Sequence, residues 1–191
     1  GFSSLPDPNP AEIARIMTTL TKAERPAILA GGGIADQTAV PLLRQLVERL
    51  HVPLITTAQG RGILPETHEL CFGRAGFGGG TSAADAVFSG ADVLLTLGCG
   101  ITDLVTYDYT APCNAMVLTV DAREPADVVR SRTSITMRCD GIAFLKRAVS
   151  VATQSKTHES WLRSLGEARK EWEAFLSSYR VPKEGRIGAG Y

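Results

Sequence analysis

What the sequence has little of narrows its function first. Aromatic residues make up 6%, histidines number three, and twenty Lys+Arg cancel twenty Asp+Glu. Neither sign gathers into a long run, so the electrostatic footprint of a nucleic-acid or anionic-membrane binder is missing. No apolar run approaches the ~20 residues of a membrane-spanning helix, and the 91–98 stretch is interrupted by Asp92 and Thr96. Cys71, Cys99, Cys113 and Cys139 form no C-x-x-C pair, and His51, His68 and His158 are scattered. The short ligand spacings of a structural zinc site are therefore lacking. The thiols are expected to be buried or half-buried and free, as suits a reducing, cytoplasmic setting. There is no H-E-x-x-H, and Ser89-Gly90 lacks the leading glycine of a nucleophile elbow. The chain opens Gly-Phe-Ser without Met, as expected of a processed or excised piece of a longer protein.

What is present is a core. Of 191 residues, 44% are hydrophobic, enough for one packed domain with an appended segment. Asn9-Pro10-Ala11-Glu12 is a helix start with a cap, a first-turn proline and an acidic residue three positions on. Ile13, Ile16, Met17 and Leu20 then predict an amphipathic helix over 10–23. Further helices are expected over 38–50, 82–89 and 141–152, the last capped by Asp140. Continuously apolar strands are expected at 26–30, 53–57, 92–97 and 116–120, with a shorter one at 134–138. Such strands, alternating with helices, predict a mostly parallel sheet covered on both faces: an open, doubly wound α/β domain over 1–154. Residues 158–180 place Trp161, Leu165, Ala168, Trp172, Phe175, Leu176 and Tyr179 on one helical stripe. This helix either docks on its own sheet or, with the glycine-containing tail 183–191, connects to another domain. The connector reading sets the second segment at 155–191.

Candidate sites fall at strand ends. Gly31-Gly32-Gly33 follows the first strand and precedes a helix, where backbone amides and a helix N-terminus favour phosphate. The dinucleotide pattern fails, because Asp36 takes the third glycine position and Thr56-Thr57 stand where an acidic ribose partner belongs. A tight strand-to-helix turn explains the glycines equally. Gly73–Gly80 carries five glycines in eight residues around Phe77 and Gly78, with Arg74 its fixed charge. It is either an anion-binding loop or merely a flexible one. Gly98-Cys99-Gly100 ends the third strand on the same edge, and Asp121 either accepts a ribose hydroxyl or caps a turn before Pro125. Glu66 and His68 could form an acid/base pair but have no orienting partner, so a polar turn is the plainer reading. The chain thus has nucleotide-site architecture without a reaction centre.

The residues also carry a resemblance. Pro26-Ala-Ile-Leu-Ala-Gly-Gly-Gly-Ile34, Pro53-Leu-Ile-Thr-Thr57, Gly60-Arg61-Gly62 and Pro65-Glu66-Thr67-His68 resemble the central, Rossmann-like domain of thiamine diphosphate-dependent enzymes. The acetolactate synthase and 2-oxo acid decarboxylase group is the nearest. Gly73-x-x-Gly76, Ala91–Gly98 and Val120-Asp121 continue the match in order, over roughly residues 9–150, with 53–76 its most specific part. Residues 158–191 resemble the connector to the cofactor-binding C-terminal domain.

The resemblance implies thiamine diphosphate and Mg²⁺ bound by N- and C-terminal domains outside this chain, and a homo-oligomer. It also implies chemistry beside a 2-oxo acid carbonyl that this chain does not perform alone. Within this domain it implies an FAD or ADP site, with Gly31, Gly32, Gly33, Thr57, Phe77, Gly78, Gly98, Cys99 and Asp121 as candidate contacts. No catalytic or metal-binding residue is expected.

The sequence departs from the FAD-holding synthases at Gly98–Leu104, where their G-A-R-F-D-D-R becomes Gly-Cys-Gly-Ile-Thr-Asp-Leu. Both arginine positions are lost, to Gly100 and Leu104, each charge-assisted contact being worth ~1.5–3 kcal/mol. Thr102–Ala111 instead resembles the T-D-x-x-T-x-x-x-T-A stretch of pyruvate and indolepyruvate decarboxylases, which do not use FAD. Rival readings are a free-standing nucleotide-binding module, like the related folds of sirtuins and electron-transfer flavoproteins, and a scaffold that only oligomerises.

Overall fold

The computed structural model describes residues 5–124, 133–153 and 158–180. Among them, six strands form one parallel sheet in the order β3-β2-β1-β4-β5-β6. The strands are β1 (Pro26–Ala30), β2 (Leu54–Thr56), β3 (Cys71–Arg74), β4 (Val93–Leu97), β5 (Met116–Asp121) and β6 (Thr133–Arg138). The helices are α1 (Pro10–Lys22), α2 (Ala39–Leu50), α3 (Ser82–Gly90), α4 (Gly141–Val151) and α5 (Glu159–Arg180). The doubly wound α/β expectation holds.

Every residue of β1 and β4 is buried, because helices cover both faces of the sheet centre. One face packs α1, α2 and α4 through Ile13, Ile16, Leu20, Leu43, Leu46 and Phe144. The other packs α3 and α5 through Ala84, Val87, Phe88, Trp161 and Leu165. The helices start where the capping side chains stand. Asn9 Oδ1 accepts from Ala11 N–H at 2.9 Å, Thr81 Oγ1 from Ala84 N–H at 3.0 Å, and Asp140 Oδ1 from Ala143 N–H at 2.7 Å. Each satisfies an amide that the helix itself leaves unpaired. α2 stops at His51, whose backbone turns left-handed at φ 51°.

The structure corrects the sequence reading in places. β3 was not expected; Gly73 and Arg74 are strand residues and not the start of a loop. β2 is shorter than 53–57, and α2 begins at Ala39, after a single 3₁₀ turn over Gly32–Ile34. The triple glycine therefore opens this 3₁₀ turn and stands apart from the N-terminus of α2. Of the C-terminal helix, Trp161 and Leu165 are buried in the second core, with the indole N–H donating to Pro26 O at 3.2 Å. Arg169 lies over the Phe72 ring at 4.0 Å and donates to Cys71 O at 2.6 Å, which ties α5 to edge strand β3. Farther along, Trp172 stacks on Phe175, which is 49% exposed. The first half of α5 thus docks on its own sheet. The tail 183–191 and the side chain of Tyr179 lie outside the described residues.

Candidate functional site

In a sheet of order 3-2-1-4-5-6, the chain reverses its direction of winding between β1 and β4, and a crevice opens at their carboxyl ends. Here that crevice measures about 430 Å³. It lies within the range of ~300–1,000 Å³ usual for small-molecule sites. Gly32, Gly33, Thr57, Phe77, Gly98 and Cys99 all line it, brought from four separate segments. The remaining three expected residues do not line it: Gly31 and Asp121 are buried, and Gly78 is exposed. Gly31 backs onto Cys99, Gly78 faces the Arg74 guanidinium, and Asp121 reaches the crevice only through Arg123.

The glycines are there for close approach. Gly31 N–H donates to Leu97 O and Gly33 N–H to Gly98 O, both at 2.9 Å, so these amides join the β1 and β4 ends instead of facing a ligand. A Cβ on Gly33 would stand 2.8 Å from Gly98 Cα and O, against backbone that has no room to give. Thr57 closes the β2 side: its N–H donates to Ala30 O at 2.9 Å, and its hydroxyl accepts from Gly60 N–H at 3.2 Å.

The glycine-rich loop is held by hydrogen bonds, unlike the merely flexible loop that was one of its two readings. Phe77 N–H donates to Leu104 O at 2.8 Å, Gly80 N–H to Gly76 O at 3.0 Å, and Arg74 Nη2 to Phe77 O at 3.1 Å. Gly76 adopts φ +91°, and a Cβ there would run into Leu104 and Val105 backbone. Phe77 packs edge-on against Tyr107 at 5.1 Å and remains 52% exposed. Tyr107, Asp108 and Tyr109 follow one another in the left-handed region, at φ 50°, 59° and 60°. Non-glycine residues rarely adopt it. The Tyr107 hydroxyl, donating to Asp85 at 2.9 and 3.1 Å, helps hold that turn. Burial pushes the Asp85 carboxyl above its ordinary range, and the tyrosine bond opposes the shift.

Asp121 Oδ1 accepts from Arg123 N–H at 2.9 Å, which closes a local turn. It also pairs with the Arg123 guanidinium at 3.4 Å. Glu66 and His68 do not face each other. Glu66 pairs with Arg61 at 2.8 Å, and His68 with Glu48 at 3.2 Å, so the polar-turn reading stands. Sequence reasoning missed Gln59, Leu104 and Arg123 as crevice residues. The one available signal for Arg123 was its position two residues beyond the end-of-strand Asp121.

None of the four cysteines is in a disulfide; Cys71, Cys99 and Cys139 are buried and Cys113 is half-buried. Burial, and next the Asp121 carboxylate, pushes the Cys99 thiol up to about 12; its Sγ donates to Leu29 O at 3.6 Å. Burial, and next Asp140, pushes Cys139 up to about 11, and burial raises Cys71 as well. Since the thiolate is the nucleophile, iodoacetamide at mildly alkaline pH is expected to label Cys113 first in the folded protein. The other three should react only on unfolding. Peptide mapping by mass spectrometry checks this, and rapid labelling of Cys99 would show that the crevice wall opens.

Comparison with known proteins agrees with the architecture. The profile of the family described as "Thiamine pyrophosphate enzyme, central domain" matches residues 13–147. The probable acetolactate synthase large subunit of Methanocaldococcus jannaschii is 35% identical over 85% of this chain and 28% of its own length. The acetolactate synthase large subunit of Lactococcus lactis is 29% identical over 84% of this chain and 28% of its own. That of Porphyra purpurea is 36% identical over 59% of this chain and 19% of its own. The chain thus spans less than a third of the length of these relatives.

Proposed function

Because the chain belongs to the family of thiamine pyrophosphate enzyme central domains, we propose that it is the middle of an acetolactate synthase-like enzyme acting on 2-oxo acids. The observation that carries this is the profile match over 13–147, which spans the sheet from α1 to α4. In this reading, thiamine diphosphate and Mg²⁺ are held by domains on either side, the assembly is a homo-oligomer in the cytoplasm, and α5 leads toward the C-terminal domain. When bound, thiamine diphosphate supplies the electron sink for breaking or forming the bond next to the 2-oxo carbonyl. This chain's own residues supply the walls and the rigid spacing between the flanking domains.

The crevice between β1 and β4 is the proposed site for the adenosine diphosphate part of FAD, or for ADP. Its volume suits one nucleotide half, and Gly32, Gly33 and Gly98 keep its floor free of side chains. A second reading, a decarboxylase of the pyruvate or indolepyruvate type, is favoured by the 102–111 turn. There Thr106 Oγ1 donates to Thr102 O at 2.7 Å and accepts from Tyr109 N–H at 2.9 Å, and Thr110 Oγ1 donates to Tyr107 O, which gives two of the family-like threonines, Thr106 and Thr110, a local role.

Two measurements separate these readings. The full-length parent, given pyruvate, thiamine diphosphate and Mg²⁺, is expected to form acetolactate, whereas acetaldehyde as the main product supports the decarboxylase. This chain alone is expected to form neither. Thermal melting of the chain with ADP or FAD at 100 times Kd is expected to show about 2.7 kcal/mol of added stability. No shift with either nucleotide would remove the crevice proposal and leave a scaffold.

A further inference from the structure

Resting on the crevice as a nucleotide site, we infer that Arg123 is the residue that meets the ligand's diphosphate, with Asp121 as its counterion when no ligand is bound. Among the described residues lining the crevice, Arg123 alone carries a charge. The two arginines of the FAD-holding pattern are replaced by Gly100 and Leu104, so an anion entering here finds its cation on the next strand's end instead.

The two ends of Arg123 are held very differently. Its backbone is fixed by the 2.9 Å bond from its N–H to Asp121 Oδ1. Its guanidinium touches the same carboxylate only at 3.4 Å on both contacts, with the side chain 76% exposed. A well-formed bidentate pair lies near 2.7–2.9 Å, roughly half an ångström closer. An exposed, stretched pair of this kind contributes little, so the guanidinium moves off at small cost. Asp121, whose side chain is 9% exposed, keeps the backbone hydrogen bond when it does. The carboxylate therefore competes with the ligand for the guanidinium.

This assignment gives the two residues opposite effects, which a merely structural role would not. ADP and adenosine are titrated calorimetrically into the chain and its Arg123→Gln, Arg123→Lys and Asp121→Asn variants. ADP is expected to bind at least tenfold more weakly to R123Q, severalfold more tightly to D121N, and with intermediate affinity to R123K. Adenosine binding is expected to be unchanged by R123Q. ADP binding that is equal in R123Q and the wild type, or weaker in D121N, overturns the role of Arg123 while leaving the crevice as a nucleotide site. Failure of wild-type protein to bind either adenosine or ADP overturns the crevice reading, and this inference with it.

Discussion

Trp161→Ala is expected to destabilise the domain by about 3–5 kcal/mol, the usual cost of emptying a large aromatic site. At this chain length that corresponds to a melting temperature lower by about 6–20 °C. Three losses coincide. The indole is 8% exposed within the second core, its N–H bonds Pro26 O, and its far edge fills the space left by Gly90, where a Cβ would come within 2.7 Å of the ring. Removing it also detaches the N-terminal half of α5, so Leu165 and the Arg169–Phe72 contact lose their support. The contrasting variant is Phe175→Ala on the exposed part of the same helix, expected to change stability by no more than about 1 kcal/mol. Urea unfolding of both variants checks the pair. Equal losses would mean that α5 docks along its whole length.

Gly33→Ala is the second large effect. Its Cβ meets main-chain atoms of Gly98 at 2.8 Å, and main chain cannot swing aside as a flexible side chain does. Overpacking of this kind costs about 1–3 kcal/mol, and here it also forces apart the carboxyl ends of β1 and β4. Nucleotide binding should therefore weaken together with stability. Gly166→Ala is the control with the opposite sign. Gly166 sits inside α5 with open space around it, so alanine should add about 0.5–1 kcal/mol by restricting the unfolded chain. Unfolding midpoints from urea titrations decide both. A Gly33→Ala protein as stable as the parent would show that the two strand ends separate easily.

These outcomes indicate what could be read from the chain alone. β1 was placed at its true bounds because four consecutive apolar residues between Pro26 and Gly31 leave few other options. The caps Asn9 and Asp140 were equally legible, since the side-chain acceptor and the helix start are neighbours. β3 was not, because its four residues end in Gly73-Arg74, and the glycines that follow look like a loop. What makes it a strand is pairing with β2, a long-range fact. The glycines of the site were visible, but their reason was not. Gly31 and Gly33 are small for the sake of Gly98 and Cys99, more than sixty residues away in sequence. Arg123 escaped notice because its relation to the crevice exists only once β5 lies beside β4. The left-handed run Tyr107-Asp108-Tyr109 opposes the intrinsic preference of tyrosine and is set by its tertiary partners, Asp85 and Phe77.

The two anchor points of α5 have a mechanical meaning. Trp161 grips the carbonyl that opens the central strand β1, and Arg169 grips a carbonyl of edge strand β3, so one rigid rod spans that half of the sheet. Beyond Arg169, at a rise of about 1.5 Å per residue, the helix continues for about 16 Å, with Phe175 exposed along it. Such a rod is a lever with its fulcrum on β3. A sideways load on the helix beyond Arg169 would bear on the carbonyls held on β1 and β3. The helix thereby couples the central strand to the edge of the sheet.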